Sequence, residues 1–165
     1  MTTNILNLSK YENQEFIKDV SKFNLSEQIR ACILLFEKKW TDKNLNLSID
    51  FDEYYIHANE DMMKQVWINL IDNAIKFADE NSDLTIDIKP LKKQVKVAIT
   101  NQGPIISEED IKKIYDKFYQ VDKSRSKEGN GVGLSIVKRI IDLHKGNIEV
   151  VSKDNLTTFI ITLNK

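Results

Sequence analysis

Hydrophobic positions along the chain recur with two spacings, and these spacings predict an alternation of helices and strands. Residues 45–51 and 94–100 place a hydrophobic side chain at every second position, which is typical of half-buried strands. Residues 60–78 place them three and four apart, which is typical of a helix with one buried face. The predicted elements are helices 5–20, 24–43, 60–78 and 132–143, a short helix after Ser107, and strands 45–51, 54–58, 84–88, 94–100, 147–151 and 158–163.

The order of these elements predicts a single α/β domain, a two-layer sandwich. One layer is a mixed, mostly antiparallel sheet, and the helices pack on one face of it. Ser26 is the predicted N-cap of the second helix, and Ser107 opens a short helix with Asp110 three residues later. Residues 119–130 are charged and aperiodic, so they are predicted to form a loop.

Composition and charge exclude several classes of partner and location. The 165 residues, 41% of them hydrophobic, suffice for one ordinary buried core. A net charge of -1 gives no broad positive field, so we expect no nucleic-acid partner. Cys32 is the single cysteine and lies in an apolar run, which predicts a buried thiol in a reducing, cytoplasmic compartment. We expect no membrane span and no signal peptide.

Three polar side chains share one edge of the predicted helix 60–78. At 100° per residue, Asn69, Asn73 and Lys76 fall within a narrow arc beside a wide apolar face. One interpretation is an ordinary solvated edge. The other is a functional site, because asparagine is a mediocre helix former, its amide oxygen suits Mg²⁺, and a lysine one turn on suits a phosphate.

Two turns contain glycine, which is rare in this chain. Gly129, Gly131 and Gly133 alternate at the predicted start of helix 132–143. Close backbone approach and the free N–H groups of a helix N-terminus favour phosphate binding there; a flexible loop that ends in a helix cap is the alternative. At the end of strand 94–100, Asn101 and Gly103 form either a simple turn or a contact to a base edge.

Four separated segments together resemble the nucleotide-binding boxes of the sensor histidine kinases, members of the GHKL ATPase superfamily with gyrase and Hsp90. Residues 69–77 are similar to the N box, and residues 101–103 to the first glycine box. Residues 115–119 are similar to the F box, and residues 129–134 to the second glycine box. The order and spacing match from about Asn24 to the C-terminus, which implies the Bergerat fold of that superfamily.

The resemblance implies ATP and Mg²⁺ as cofactors and a role for each matched residue. It implies that Asn73 is the Mg²⁺ ligand, that Asn69 and Lys76 lie at the phosphates, and that the triphosphate lies along the backbone of Gly129, Gly131, Val132, Gly133 and Leu134. It implies that Asn101, Gly103 and either Thr157 or Thr158 lie near adenine. It also implies that Phe118 is the hinge of a lid and that Arg125 lies near the γ-phosphate or a partner helix. Asn69, Lys76 and Arg125 would act in catalysis. Core packing is an alternative for Phe118 and Tyr119.

Asn69 stands where gyrase-type members of the superfamily carry a glutamate that activates water. Because an asparagine cannot take a proton, the resemblance favours transfer of the γ-phosphoryl group to a protein histidine over hydrolysis. Residues 1–23 resemble the end of the second helix of the dimerisation and histidine-phosphotransfer domain, and residues 24–165 the catalytic and ATP-binding domain. Neither His57 nor His144 matches the phosphoacceptor; the position of His144 at a helix end suits a cation.

The resemblance therefore implies a protein-histidine kinase of a two-component system. Its partners would be its own phosphoacceptor domain and a response regulator. We expect the isolated domain to be monomeric and cytoplasmic, within a parent protein that upstream segments could anchor to a membrane. The alternatives are another GHKL ATPase or serine kinase, and a non-catalytic nucleotide-binding module.

The chain departs from the family pattern at a few positions. Asn101 stands where the family usually has aspartate. An amide can turn its NH₂ group toward a guanine carbonyl that a carboxylate repels, so we hypothesise a relaxed preference for ATP over GTP. Ile105, Ile106 and Leu156 stand where glycine is frequent, outside the expected direct contacts.

Overall fold

The computed structural model describes residues 11, 16–116, 119 and 133–165. In chain order its elements are β1 Val20–Asn24, α1 Leu25–Leu34, α2 Glu37–Asp42, β2 Asn46–Ser48, β3 Tyr55–Asn59, α3 Glu60–Phe77, β4 Asp83–Pro90, β5 Gln94–Gln102, α4 Glu108–Ile111, α5 Gly133–Leu143, β6 Asn147–Lys153 and β7 Leu156–Asn164. Within these described residues, none of the helices combines the length and the apolar character that crossing a membrane requires.

The strands form one large sheet and one small one. The large sheet has five strands in the order β2-β4-β5-β7-β6, and β1 pairs with β3 in a separate two-stranded sheet. Only the β2–β4 pair is parallel among the described strands; β4–β5, β5–β7, β6–β7 and β1–β3 are antiparallel. The predicted α/β fold with a mixed, mostly antiparallel sheet and helices on one face is confirmed.

The hydrophobic core lies between the five-stranded sheet and the central helix α3. In β5 the alternate residues Val95, Val97 and Ile99 are buried, as the period of two requires. Helix α3 packs on β5, with α1 and α5 beside it, and its Trp67 is fully buried. Each large apolar side chain buried in this way contributes about 1.5–3 kcal/mol. This packing fixes α3 over the middle of the sheet.

The helix starts agree with the prediction at one serine and differ at the other. Ser107 caps α4 by accepting the N–H of Asp110 at 3.1 Å, as predicted. At α1, Asn24 rather than Ser26 is the N-cap, and its side chain accepts the N–H of Glu27 at 3.0 Å. Ser26 is buried and its Oγ donates to the carbonyl of Asp52 at 2.7 Å, so this hydroxyl is used in a long-range contact instead.

Two predicted helices differ from the structure within the described residues. The predicted helix 24–43 is divided into α1 and α2, because the carbonyl of Ile33 accepts from the N–H of Phe36 and from Nε1 of Trp40. The predicted helix 5–20 lies mostly outside the described residues, and at its end Val20 begins strand β1. Phe23 is the only buried residue of β1, so the sequence of this strand lacks the alternation of apolar and polar residues that would predict a strand.

Candidate functional site

The inner face of the five-stranded sheet changes from apolar to polar at its last row. Strand pairing aligns four residues there, one each on β4, β5, β7 and β6, namely Leu84, Asn101, Thr157 and Ser152. The row before it is apolar across the same strands: Ile86, Ile99, Phe159 and Val150. Thr157 and Asn101 are each only 4% exposed. Apart from Leu84, this row consists of neutral polar residues, with Asn101 and Thr157 buried and Ser152 half-buried, and we call these three residues the polar row (Asn101, Thr157 and Ser152).

Two buried amides lack a hydrogen-bond partner within the described residues. They are Nδ2 of Asn69, which is 9% exposed, and Nδ2 of Asn101. A buried polar group without a partner costs about 1–3 kcal/mol, and such groups are rare in folded proteins. Both amide nitrogens can therefore still donate to an acceptor from outside the described residues.

The end of α3 lies directly against the turn that follows β5. A Cβ built on Gly103 would lie 2.2 Å from the backbone oxygen of Phe77, so no other residue fits there without moving the backbone. The N–H of Asp79 also donates to the carbonyl of Gln102 at 2.8 Å. These contacts hold the last turn of α3 beside Asn101.

The first residue of α5 lies beside Asn69. A Cβ built on Gly133 would lie 3.2 Å from Oδ1 of Asn69, and Leu134 behind it is half-buried. In the same turn Ser135 donates its hydroxyl to the carbonyl of Tyr115 at 2.7 Å. The described start of α5 therefore lies against the side of α3 that carries Asn69, and a helix N-terminus carries a partial positive charge.

Asn73 and Lys76 follow Asn69 along α3, one and two turns later. All three lie in the continuous helix Glu60–Phe77, so the predicted arc holds in the structure. Asn73 and Lys76 are half-buried. The structure brings this polar edge together with Asn101, Gly103 and Gly133.

The two candidate threonines of β7 face opposite sides of the sheet. Thr157 is buried beside Asn101 on the inner face. Thr158 lies on the outer face, where its hydroxyl is 2.9 Å from that of Thr100. The structure therefore brings Thr157, and not Thr158, to the polar row.

Lys43 caps the C-terminal end of α3, a contact that the sequence pattern did not predict. Its Nζ donates to the carbonyls of Ile75, Lys76 and Ala78 at 2.8, 2.8 and 2.9 Å. A cation here satisfies carbonyls that a helix leaves free and opposes the negative end of its dipole. Lys43 is distant in sequence from α3, so no local pattern indicates the contact.

Two titratable rings near the helices are half-buried, and desolvation favours the neutral form of each. Burial raises the pKa of Tyr115 to about 12, and its hydroxyl has no partner within the described residues. Burial also lowers the pKa of His144, whose Nε2 accepts the N–H of Asn59 at 3.2 Å while Nδ1 is 2.8 Å from the carbonyl of Ile140. The expected cation at His144 is thus wrong, because an imidazolium has no acceptor to offer Asn59.

Several predicted site residues lie outside the described residues. These are Phe118, Arg125, Gly129, Gly131 and Val132, with most of the predicted loop 119–130. The departure at Leu156 is accommodated because its side chain is 40% exposed on the outer face of β7. Ile105 is likewise exposed in the turn after Gly103.

Comparisons with known proteins point to one family. A model of the family described as histidine kinase-, DNA gyrase B-, and HSP90-like ATPase matches residues 58–165. The sensor histidine kinase CusS of Escherichia coli (strain K12) is 30% identical over 165 residues, which cover 99% of this chain and 34% of that protein. The heme sensor protein HssS of Staphylococcus epidermidis is 34% identical over 163 residues, 99% of this chain and 35% of that protein. The chain thus spans about a third of the length of the curated relatives it matches.

Solved structures of histidine kinases have the same fold. The catalytic domain of histidine kinase ThkA, in a nucleotide-free form, matches with a TM-score of 0.80 at 34% identity, over 90% of this chain and 97% of that chain. Histidine kinase ThkA in complex with the response regulator protein TrrA matches with a TM-score of 0.82 at 31% identity, over 99% of this chain and 47% of that chain.

Proposed function

Because the chain belongs to the histidine kinase-, DNA gyrase B-, and HSP90-like ATPase family, we propose that it binds Mg–ATP and passes the γ-phosphoryl group to a histidine of a separate domain. The observation that carries the proposal is the pair of unpartnered buried amides, Asn69 on α3 and Asn101 on β5. The two elements pack on each other. A nucleotide between them has acceptors on its base and phosphates that match both amides.

The base would lie on the polar row and the phosphates along α3. Asn101 and Thr157 would contact the base edge, and the missing side chain of Gly103 lets the end of α3 pack against the turn beside them. Asn69, Lys76 and the N-terminal N–H groups of α5 at Gly133 would hold the phosphates, since a lysine and a helix N-terminus both favour anions. The backbone of Gly129, Gly131, Val132 and Leu134 would extend this contact.

Asn73 is the proposed protein ligand of Mg²⁺. Magnesium commonly takes one or two protein oxygens and completes its octahedron with phosphates and waters. The half-buried amide of Asn73, one turn from Asn69, fits that requirement. When bound, the ion neutralises phosphate charge, and the side chain of Asn73 would fix its place on α3.

The chemistry of α3 supports transfer rather than hydrolysis. Asn69 offers no proton acceptor for a water, and the nearest carboxylate of the helix, Asp72, is paired with Lys39 at 3.2 Å. Attack by an imidazole nitrogen on the γ-phosphorus would break its bond to the β-phosphate oxygen and release ADP. Phosphoryl transfer of this kind depends mainly on positioning and charge neutralisation. Arg125 would supply further positive charge near the γ-phosphate.

The remaining parts of the proposal concern the parent protein. Residues 1–23 would continue a phosphotransfer domain and residues 24–165 would form the catalytic domain; strand β1, which pairs with β3, lies across this division. The partners would be the phosphoacceptor domain and a response regulator, and the isolated domain would be monomeric. We place the domain in the cytoplasm, where the buried thiol of Cys32 stays reduced.

A transfer assay tests the function directly. The chain is mixed with labelled Mg–ATP and a histidine-bearing phosphoacceptor domain, and label on the domain is compared with phosphate released to water. We expect labelling of the histidine to exceed hydrolysis. Tight ATP binding without transfer would instead favour the non-catalytic binding module, and rapid phosphate release would favour a hydrolysing ATPase.

The metal role of Asn73 is tested by binding. We expect Mg²⁺ to strengthen ATP binding to the wild type, and Asn73→Ala to lose most of that strengthening while ATP affinity without Mg²⁺ stays within about twofold. Calorimetric titrations with and without Mg²⁺ measure both. Thr100→Val, on the outer face of the sheet, is a control. An equal magnesium dependence in Asn73→Ala and wild type would refute the assignment.

A further inference from the structure

Ser152 connects the polar row to the turn that follows Gly103. Its Oγ accepts the N–H of Ile106 at 2.7 Å and lies 2.7 Å from Oγ1 of Thr157. At the other end of the same turn, the N–H of Gly103 donates to the carbonyl of Asn155 at 3.0 Å. Both ends of the turn are therefore attached to the β6–β7 hairpin, one through a side chain and one through backbone.

The hydrogen-bonding capacity of a hydroxyl makes Ser152 more than a structural link. A serine hydroxyl has one donor and two acceptor lone pairs, and Ile106 occupies one lone pair. Ser152 can therefore donate to Thr157, which frees the Thr157 proton for a ligand acceptor. It can also accept from Thr157, which leaves Thr157 as an acceptor for a ligand donor. In either case the two hydroxyls stay bonded to each other.

We propose that Ser152 is a positioning residue for the nucleobase: it holds the turn 103–106 beside the base and orients the Thr157 hydroxyl toward the base edge. The inference rests on the proposed nucleotide binding and adds to it a residue that makes no contact with the base itself. Thr157 is buried next to Asn101, so a base that accepts a hydrogen bond from the Asn101 amide would also contact the Thr157 hydroxyl.

The outer face of the same sheet supplies a matched control. Thr100 and Thr158 form a hydroxyl pair at 2.9 Å across β5 and β7, one residue along β7 from Thr157, whereas the Ser152–Thr157 pair crosses β6 and β7. Thr100→Val removes that pair without changing the inner face. It therefore separates loss of any inter-strand hydroxyl bond from loss of the one at the polar row.

The test is the affinity of the chain for Mg–ATP, measured by calorimetric titration. We expect Ser152→Ala to bind about fivefold to tenfold more weakly, as loss of a hydrogen bond implies. Ser152→Thr should restore binding to within about twofold, and Thr100→Val should bind like wild type. In a double-mutant cycle, Ser152→Ala and Thr157→Val should be non-additive by at least about threefold, whereas Ser152→Ala and Thr100→Val should be additive.

Three outcomes overturn the inference. They are wild-type affinity in Ser152→Ala, failure of Ser152→Thr to restore binding, and equal coupling of Ser152 to Thr157 and to Thr100. If Ser152→Ala does not fold, Thr157→Val removes the same pair from the other strand, and wild-type affinity in that variant overturns it equally. Absence of Mg–ATP binding in the wild type would instead overturn the proposed function itself.

Discussion

At the scale of single residues, the site depends on small neutral side chains in buried positions. Asn101 continues the buried face of β5, where Val95, Val97 and Ile99 precede it, so the register that builds the core also places an amide in the polar row. Gly103 and Gly133 matter because a Cβ would meet Phe77 and Asn69 respectively. A single added carbon or charge at these positions changes the site more than the same change on the surface.

Asn101→Asp tests whether the amide relaxes base selection. A carboxylate accepts a charge-assisted bond from the 6-amino group of adenine and repels the 6-carbonyl of guanine. We expect the ratio of ATP to GTP affinity to rise by about fivefold or more, since a charged hydrogen bond contributes about 1.5–3 kcal/mol and a neutral one about 1. Competition titrations measure the ratio, with Thr100→Val as control. An unchanged ratio of ATP to GTP affinity would contradict the hypothesis.

At the scale of secondary-structure elements, α3 is the element on which the site depends; the residue that precedes it caps its start, and a residue far away in sequence caps its end. Asn59 caps its start by accepting the N–H of Met62 at 2.9 Å. Lys43 caps its end through three carbonyls. The end that Lys43 caps is the one that contacts Gly103, so this lysine supports both helix stability and site geometry.

Lys43→Met should destabilise the domain by about 1.5–3 kcal/mol, because it keeps most of the aliphatic stem but removes the charged donor from the carbonyls of α3. Urea unfolding followed by circular dichroism measures the change. Lys38→Met is the matched control, since Lys38 is exposed and forms an i,i+4 ion pair with Asp42, which is worth only about 0.3–0.5 kcal/mol. Equal stability of the two variants would show that the cap contributes nothing.

At the scale of the whole molecule, His144 ties the end of α5 to the start of α3. Its neutral ring accepts from Asn59, whose Nδ2 in turn donates to the carbonyl of Lys18 at 2.8 Å. Desolvation lowers the pKa of His144 below its ordinary 6.5, so the unfolded chain takes up this proton at higher pH than the folded domain. The stabilisation is complete above about pH 6.5 and is lost as pH falls through the lowered folded pKa.

This linkage predicts the pH dependence of stability. We expect the free energy of unfolding of the wild type to fall as pH decreases below about 6.5, and to fall less in His144→Gln, which cannot take up the proton. Urea midpoints at several pH values measure both slopes. His57→Gln, at an exposed position on β3, is the control. A His144→Gln slope equal to that of the wild type would contradict the prediction.

Local periodicity in the sequence determined the element types, the fold class and the polar edge of α3. A period of two or 3.6 residues directly reports which side chains face the core. The paired asparagines and the order of the four boxes were likewise visible in the chain and indicated the family. Strand β1 and the break between α1 and α2 were not predicted, because their causes, pairing with β3 and the Trp40 contact to Ile33, lie outside the local pattern.

Only the tertiary structure decided which polar groups meet. It selected Thr157 over Thr158, since β-strand register and not residue type determines the face on which a hydroxyl lies. It also brought Lys43 to the end of α3, His144 to Asn59 and Ser152 to Ile106. The physical reason is the same in each case. A hydrogen bond between residues tens of positions apart leaves no periodic trace in the sequence, whereas a buried face must repeat along it.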